Sequence, residues 1–285
     1  MASSKTILFL HGYTQNASLF RAKTSALRKK LMKMGFNCVY LDAPYVLTPA
    51  DLPVSDDSLF RFDSISSKEK EDSVVYRGWW IKPNQGNDCV DIDESIHAVR
   101  KYIENKETVD DDARGDEHSD VVGIIGFSQG ASFAGLIAHK FQTLFKTKIP
   151  LKFVILYSGF KLDTSKKSGN EKYDSYYPKS QEDLESSKLR YLHVYGELDT
   201  VVDETRNLTL YDITKNSSDL LKHPGGHFVP NSKLFIDQVT NWIHDVMEVE
   251  EKKKKTNKKS EQESVEKEKD DIDALLEMMD GFGKA

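Results

Sequence analysis

The sequence predicts an α/β fold, with a six-stranded, mainly parallel sheet and helices on both of its faces. The first observation is a series of short apolar segments, at 6–10, 37–41, 121–126, 151–157, 189–195 and 220–223. Segments of this length without charges are typical of strands buried on both faces of a parallel sheet. The second observation is that segments with helical spacing lie between them. Strands that alternate with helices indicate a parallel sheet with helical crossovers.

Five helices are predicted in the folded domain, at 20–34, 91–105, 131–145, 203–215 and 233–249. The helix at 91–105 is the clearest, because acids occupy its first turn and Ile92, Ile96, Val99 and Ile103 recur at helical spacing. The segments 45–90 and 160–187 show no clear period. Long irregular segments in compact domains are often functional, so we interpret both as insertions that could form a lid or a pocket wall.

Charge and composition exclude several classes of function. The net charge of −6 argues against nucleic-acid binding by the folded domain. No segment approaches the length of about eighteen apolar residues that a membrane span needs. The two cysteines form no disulfide framework, and the N-terminal residues do not have the pattern of a signal peptide. We therefore expect a soluble cytoplasmic protein.

The strongest functional motif lies at Ser128. The apolar strand at 121–126 leads directly into the sequence GFSQG, and an apolar helical segment follows. A strand, the pattern G-x-S-x-G and a helix in this order predict a nucleophile elbow, as in α/β-hydrolases. The sharp turn would lift the Ser128 hydroxyl above the sheet and place the backbone N–H of Gln129 at a helix N-terminus, where developing negative charge is stabilised. The motif alone also occurs by chance. Whether it marks a catalytic serine depends on the strand and helix that flank it and on the presence of an acid and a base.

The first strand ends in His11-Gly12-Tyr13, which predicts the second half of an oxyanion hole. The backbone N–H of Tyr13 would join that of Gln129, and the glycine leaves room for the substrate oxygen. In the segment 45–90, the adjacent Trp79 and Trp80 could line an acyl pocket or could be core residues beneath a loop. The sequence favours neither interpretation.

An acid and a base must activate the serine, and in α/β-hydrolases they follow it in the order Asp or Glu, then His. Asp199 comes after the fifth strand, where the following Val-Val can anchor its loop, so we prefer it to Glu197 and Asp203. All of these positions project from the carboxyl edge of the predicted sheet, which is where open α/β sheets place their sites.

His227 is the preferred base because it follows two glycines in the loop after the last strand. His223 is the alternative, but it lies on the strand itself. Pro224 and the glycines exclude a helix between the two histidines, and with it a helical metal-binding pair. We expect no metal and no cofactor. The other histidines of the predicted elements are interpreted as structural or surface residues: His11, His97, His139, His193 and His244.

The composition changes at residue 248, where a highly charged tail begins. The cluster Lys252–Lys259 could direct nuclear import or bind an acidic partner, although a solvated linker is the preferred interpretation. At 271–280, apolar residues at helical spacing predict a short amphipathic helix that could bind a protein partner. We therefore predict a folded domain at 1–247 and a largely disordered tail at 248–285.

Six segments resemble the fungal "family of serine hydrolases" group of the α/β-hydrolase superfamily: LFLHGYTQNASLF, LDAP, RGWW, VVGIIGFSQGA, YGELDTVV and HPGGHFVPNS. The resemblance covers roughly residues 5–247. It implies a serine esterase that acts on small carboxylic esters, with Ser128, Asp199 and His227 as catalytic residues.

Two alternatives remain open. The same triad also cleaves thioesters, so a thioesterase or an acyl-protein thioesterase is the close alternative. The second is a hydrolase-like protein whose biological role is to bind a partner through its tail.

Overall fold

A computed structural model of the protein describes residues 5–51, 75–81, 89–105 and 120–248. The chain forms two compact units, Met1–Thr240 and Asn241–Ala285. The first unit contains the sheet and the candidate site. In the second, residues 241–248 are described and are helical. The predicted helix at 271–280 and the cluster Lys252–Lys259 lie outside the described residues, as do residues 52–74 and 82–88 of the first predicted insertion.

The six predicted strands are confirmed as one parallel sheet. In chain order the strands of the described residues are β1 (Lys5–Leu10), β2 (Phe36–Leu41), β3 (Tyr45–Val46), β4 (Arg77–Gly78), β5 (Asp120–Phe127), β6 (Phe153–Tyr157), β7 (Arg190–Gly196) and β8 (Ser218–His223). The sheet order is β2-β1-β5-β6-β7-β8, and every neighbouring pair is parallel. Strands β3 and β4 form a small antiparallel pair that the sequence analysis did not predict.

The central strands are buried along nearly their whole length, as their apolar sequences predict. Seven of the eight residues of β5 and all five of β6 are buried. The register pairs Leu10 with Gly126 and Phe127 with Tyr157, so β1, β5 and β6 end at the same edge of the sheet. The loops that follow these strands and the neighbouring β7 and β8 therefore start from one edge, where the candidate site lies.

The helices are α1 (Ala17–Lys23), α2 (Ser25–Lys33), α3 (Asp93–Asn105), α4 (Gln129–Ala138), α5 (Phe141–Phe145), α6 (Gln181–Ser187), α7 (Glu204–Thr214) and a last helix at 233–248. The predicted single helix at 20–34 was wrong, because it is divided at Thr24. The buried Thr24 hydroxyl is 2.7 Å from both the Phe20 carbonyl oxygen and the Tyr40 hydroxyl. The first helix also starts earlier than predicted, because the Asn16 side chain caps it by accepting from the Leu19 N–H.

Two further segments differ from the sequence prediction. The predicted helix at 131–145 is two helices, α4 and α5, with a break at residues 139–140. The segment 160–187 was interpreted as irregular, but it contains a 3₁₀ helix at Glu171–Tyr176 and the helix α6. Ser180 caps α6 by accepting from the Asp183 N–H, and Leu184 buries its apolar side. That single apolar anchor is too short a pattern to give a helical period in the sequence.

Candidate active site

The turn at Ser128 has the strained geometry of a nucleophile elbow. Ser128 links β5 to α4 with φ 52° and ψ −117°, a left-handed φ that non-glycine residues rarely adopt. A Cβ atom at Gly126 would lie 2.6 Å from the Ala131 Cα, and one at Gly130 would lie 2.2 Å from the Leu10 carbonyl oxygen. Glycine is therefore required on both sides of Ser128, because the helix packs directly against the backbone of the strands.

The structure brings together the three side chains that the chain order predicted. The His227 Nε2 lies 2.9 Å from the Ser128 Oγ, and the His227 Nδ1 lies 2.8 Å from the Asp199 Oδ2. The imidazole is partly exposed, with 18% of its side-chain surface accessible, whereas the Asp199 side chain is fully buried. Ser, His and Asp thus form one continuous hydrogen-bonded chain that runs from the protein surface into the interior.

Each oxygen of the Asp199 carboxylate accepts two hydrogen bonds. Oδ1 accepts from the backbone N–H groups of Val201 and Val202, and Oδ2 accepts from His227 and from the Ser158 hydroxyl. Burial acts to raise the pKa of Asp199, but the hydrogen bonds from His227, Val202 and Ser158 outweigh it and hold this pKa below its ordinary value. The carboxylate therefore stays charged beside the imidazole. Ser158 was not predicted from the sequence.

The loops of the acid and the base are hydrogen-bonded to each other. The Glu197 N–H donates to the His223 carbonyl oxygen, and the Leu198 N–H donates to the Gly225 carbonyl oxygen. The alternative acids lie elsewhere, since Glu197 is exposed and Asp203 caps α7. The alternative base, His223, is buried and accepts a hydrogen bond from the Gly225 N–H at its Nδ1. It helps to shape the turn that carries His227.

Of the two backbone N–H groups predicted for the oxyanion hole, that of Tyr13 lies in the loop after β1 and that of Gln129 in the first residue of α4. A Cβ atom at Gly12 would lie 3.4 Å from the Ser128 Cβ, so the loop after β1 passes close to the serine. The Gly12 N–H donates to the Gln15 side chain, and the Thr14 N–H donates to the Arg77 carbonyl oxygen. Of the hydrogen bonds between described residues, none has the Tyr13 or Gln129 N–H as its donor. Their role toward a substrate stays a prediction.

The Gln129 side chain has a function that the sequence analysis missed. Its Oε1 accepts from the Trp79 backbone N–H, and its Nε2 donates to the Trp80 carbonyl oxygen, both at 2.8 Å. The Gln129 side-chain amide thus pairs with a backbone N–H and a backbone carbonyl of the segment 75–81, as the backbone of a neighbouring strand would, and binds this segment to the elbow. In the pattern G-x-S-x-G this position is unspecified, so the motif contains no signal for the contact.

Both tryptophans lie in the buried core. Trp79 is fully buried, stacks on Phe133 with the ring centroids 4.9 Å apart, and donates its indole N–H to the His11 carbonyl oxygen. Trp80 is 3% exposed. This placement agrees with the core interpretation, and a role as the wall of an acyl pocket stays a prediction.

His11 is a structural part of the same edge. Its ring is buried, its Nε2 accepts from the Ala43 N–H at 3.1 Å, and its Nδ1 lies 2.7 Å from the Gly12 carbonyl oxygen. Burial lowers the pKa of His11 to about 4, against the weaker raising effect of the Gly12 hydrogen bond. A neutral ring donates at Nδ1 and accepts at Nε2, which satisfies both contacts.

The described ranges contain no candidate metal site and no candidate membrane-spanning helix. In residues 5–51, 75–81, 89–105 and 120–248, no group of three or more His, Cys, Asp or Glu side chains could hold a metal ion. No helix within the same ranges is both long enough and apolar enough to cross a membrane.

Comparison with known proteins gives matches along nearly the whole chain. Residues 1–239 match the model of the family described as serine hydrolase (FSH1). The chain is 32% identical to Family of serine hydrolases 3 from Saccharomyces cerevisiae over 290 aligned residues, which cover all of both chains. It is 30% identical to Esterase OVCA2 from Danio rerio, over 79% of this chain and 89% of that protein. The crystal structure of acyl-protein thioesterase 2 from Zea mays shares the fold, with a TM-score of 0.52 and 18% identity over 86% of this chain and 95% of that one.

Proposed function

Since the chain belongs to the serine hydrolase (FSH1) family, we propose that it hydrolyses carboxylic esters of small molecules through an acyl-serine intermediate. In this proposal Ser128 is the nucleophile, His227 the general base and Asp199 the acid that orients the imidazole. The observation that carries it is the continuous chain from the Ser128 Oγ through His227 to Asp199, with both donor–acceptor distances below 3 Å. Relatives that are named esterases support the choice of ester substrates.

The first step acylates the serine. As the Ser128 Oγ attacks the ester carbonyl carbon, its proton passes to the Nε2 of His227. The backbone N–H groups of Tyr13 and Gln129 bind the oxyanion of the tetrahedral intermediate, where they act as fixed dipoles. The imidazolium then gives its proton to the leaving alcohol, and the C–O bond to that alcohol breaks.

The second step returns the enzyme to its starting state. A water molecule takes the place of the alcohol, His227 accepts one of its protons, and the hydroxide attacks the acyl-serine carbonyl. The collapse of this second intermediate releases the carboxylic acid and returns the proton to Ser128. Asp199 stays ionised throughout and stabilises the charged imidazole, in accord with the hydrogen bonds that hold its pKa low.

Labelling with a fluorophosphonate probe tests the activated serine directly. We expect the wild-type protein to be labelled and Ser128→Ala to be unlabelled at equal concentration. A matched control is Ser186→Ala, which removes an exposed serine hydroxyl in α6 and should leave labelling unchanged. Labelling of Ser128→Ala at the wild-type rate would contradict the assignment of the nucleophile.

A thioesterase is the second candidate, because the triad can cleave both bond types and an acyl-protein thioesterase has the same fold. Matched pairs of oxygen esters and thioesters with the same acyl chain separate the two functions. We expect kcat/KM to be higher for the oxygen ester in each pair. A higher kcat/KM for the thioester at every acyl chain length would instead identify the protein as a thioesterase.

For the tail we propose a separate role, in which the segment 271–280 binds a protein partner while the enzyme remains in the cytoplasm. The nucleus is the alternative location, because the Lys252–Lys259 cluster could act as a nuclear-import signal. Deletion of residues 250–285 should leave ester hydrolysis unchanged and abolish binding of the partner. Fluorescence microscopy of the full chain and the deletion tests location, and a full-length protein concentrated in the nucleus would contradict the cytoplasmic assignment.

A further inference from the structure

The hydroxyl of Ser158 lies at the active site but has no part in the mechanism described above. Ser158 follows directly after β6, it is 1% exposed, and its Oγ donates to the Asp199 Oδ2 at 2.8 Å. This is the same carboxylate oxygen that accepts from the His227 Nδ1, also at 2.8 Å. The hydroxyl therefore binds the acid at the atom through which the acid acts on the histidine.

The backbone around Ser158 connects the nucleophile with the acid. The Tyr157 carbonyl oxygen accepts from the Ser128 N–H at 2.8 Å, which holds the main chain of the nucleophile. The Ser158 N–H donates to the Val194 carbonyl oxygen of β7, the strand that leads to Asp199. Two consecutive residues, Tyr157 and Ser158, thus fix the spacing between the two strand ends from which the nucleophile and the acid come.

Ser158 adopts an unusual backbone conformation for its residue type. Its φ is 50°, in the left-handed region that favours glycine. A serine in that conformation costs about 1 kcal/mol or more relative to glycine. The cost is consistent with a residue whose side chain is needed, and the hydrogen bond to Asp199 is the side-chain interaction that the structure provides.

We propose that Ser158 is a positioning residue of this active site, which holds the Asp199 carboxylate in the rotation that presents Oδ2 to His227. The proposal rests on the function proposed above for the triad. On the other oxygen, Oδ1, the carboxylate is held by two backbone N–H groups. Since the Asp199 side chain is fully buried, bulk water cannot replace the lost donor when the hydroxyl is removed.

The orientation matters because the imidazole is protonated and deprotonated twice in each turnover. When the histidine is protonated, a fixed Oδ2 faces the Nδ1–H and stabilises the cation. Without the Ser158 hydroxyl, His227 is the remaining hydrogen-bond donor to Oδ2. The carboxylate can then rotate together with the imidazole ring and no longer fixes the orientation of that ring. The loss should affect the chemical step and leave substrate binding nearly unchanged.

A double-mutant cycle tests whether the hydroxyl acts through Asp199. We expect Ser158→Ala to lower kcat for a p-nitrophenyl ester by about tenfold, the effect of one hydrogen bond to a charged group, with KM changed less than about twofold. Asp199→Asn should lower kcat by about 10⁴. In the Asp199→Asn background, adding Ser158→Ala should have an effect of less than about twofold, because the group through which it acts is already lost.

Two further variants separate the hydroxyl from the backbone and from general stability. Ser158→Gly removes the same hydroxyl from a residue type that suits a φ of 50°, and it should lose kcat as Ser158→Ala does. Ser218→Ala is the matched control, since it removes a partly buried hydroxyl that bonds to Thr214 and lies at the start of β8. It should leave kcat unchanged even if the melting temperature falls.

The outcomes also separate this inference from the proposed function. If the wild-type protein neither reacts with the fluorophosphonate nor hydrolyses esters, the proposed function fails and the inference fails with it. If the wild type is active, three results would overturn the inference alone. The first is a kcat of Ser158→Gly equal to that of the wild type. The second is a tenfold loss of kcat on Ser158→Ala in both the wild-type and the Asp199→Asn backgrounds. The third is a Ser158→Ala variant that raises KM and leaves kcat unchanged.

Discussion

Two serines at the ends of neighbouring strands share a positive φ and differ in their surroundings. Ser128 follows β5 with φ 52°, and Ser158 follows β6 with φ 50°. The strand residues before them, Phe127 and Tyr157, are paired in the sheet. Ser128 is partly exposed and bonds to His227, whereas Ser158 is buried and bonds to Asp199.

The difference comes from the segment that the chain enters after each serine. After Ser128 the chain enters α4, and the Ser128 Oγ lies 2.9 Å from the Nε2 of the partly exposed His227. After Ser158 comes Gly159, which lies so close to α4 that a Cβ atom there would be 3.0 Å from the Ala131 Cβ. A strained serine at the end of a strand is therefore not sufficient to make a nucleophile. Access to the histidine decides the role, and access depends on the neighbouring elements.

The largest expected effect is the difference in activity between alanine substitutions at the two serines. Ser128→Ala removes the attacking atom and should lower kcat by about 10⁴–10⁶. Ser158→Ala leaves the attacking atom in place and should lower it by about tenfold. Hydrolysis of one p-nitrophenyl ester by both variants, each checked for a folded state by circular dichroism, measures the ratio. Losses of equal size would mean that the two serines are not functionally different.

The comparison extends to two histidines at the same edge, since His227 reaches the surface and His11 is buried. The folded-state pKa of His11 is about 4, below the value of 6.5 for an unfolded chain. Between these two pH values the unfolded state binds more protons than the folded state. The contribution of the buried, neutral His11 to the free energy of unfolding is therefore fully present above pH 6.5 and falls as the pH drops toward 4. The expected loss is about 3 kcal/mol at most.

Urea unfolding at pH 7 and pH 5 measures this loss. The wild type should lose about 2 kcal/mol more than His11→Gln, which has no titrating ring at that position. The pKa of His193 is also lowered by burial, to about 3, but His193 is present in both proteins and its effect cancels. Equal losses in the two proteins would show that the charge on His11 is not coupled to folding.

The smallest expected effect is on the stability of glycine variants at the two serines. Ser128→Gly should raise the free energy of unfolding by about 1 kcal/mol, because glycine relieves the strain at a φ of 52°. Ser158→Gly relieves the same strain but loses a buried hydrogen bond to a carboxylate, so its stability should be unchanged or lower by about 1 kcal/mol. Urea unfolding of both variants tests the contrast, and an equal gain at both sites would contradict it.

Much of the fold and of the site was determined by the sequence alone. The six strands follow from apolar segments, because a strand buried on both faces must be apolar along its length. Ser128, Asp199 and His227 follow from the elbow motif and the chain order, since each motif reports the local geometry of its own strand end. Each strand and each motif is recognised from residues close together in the sequence.

The tertiary structure alone decided which distant groups meet. Thr24 divides a helix because its hydroxyl reaches Tyr40 on the neighbouring strand β2. Gln129 binds the segment that contains Trp79 because that segment passes over the elbow. Ser158 reaches Asp199 because β6 and β7 end side by side. Each contact joins residues at least 16 positions apart in the sequence, so it is set by tertiary packing and not by a local pattern.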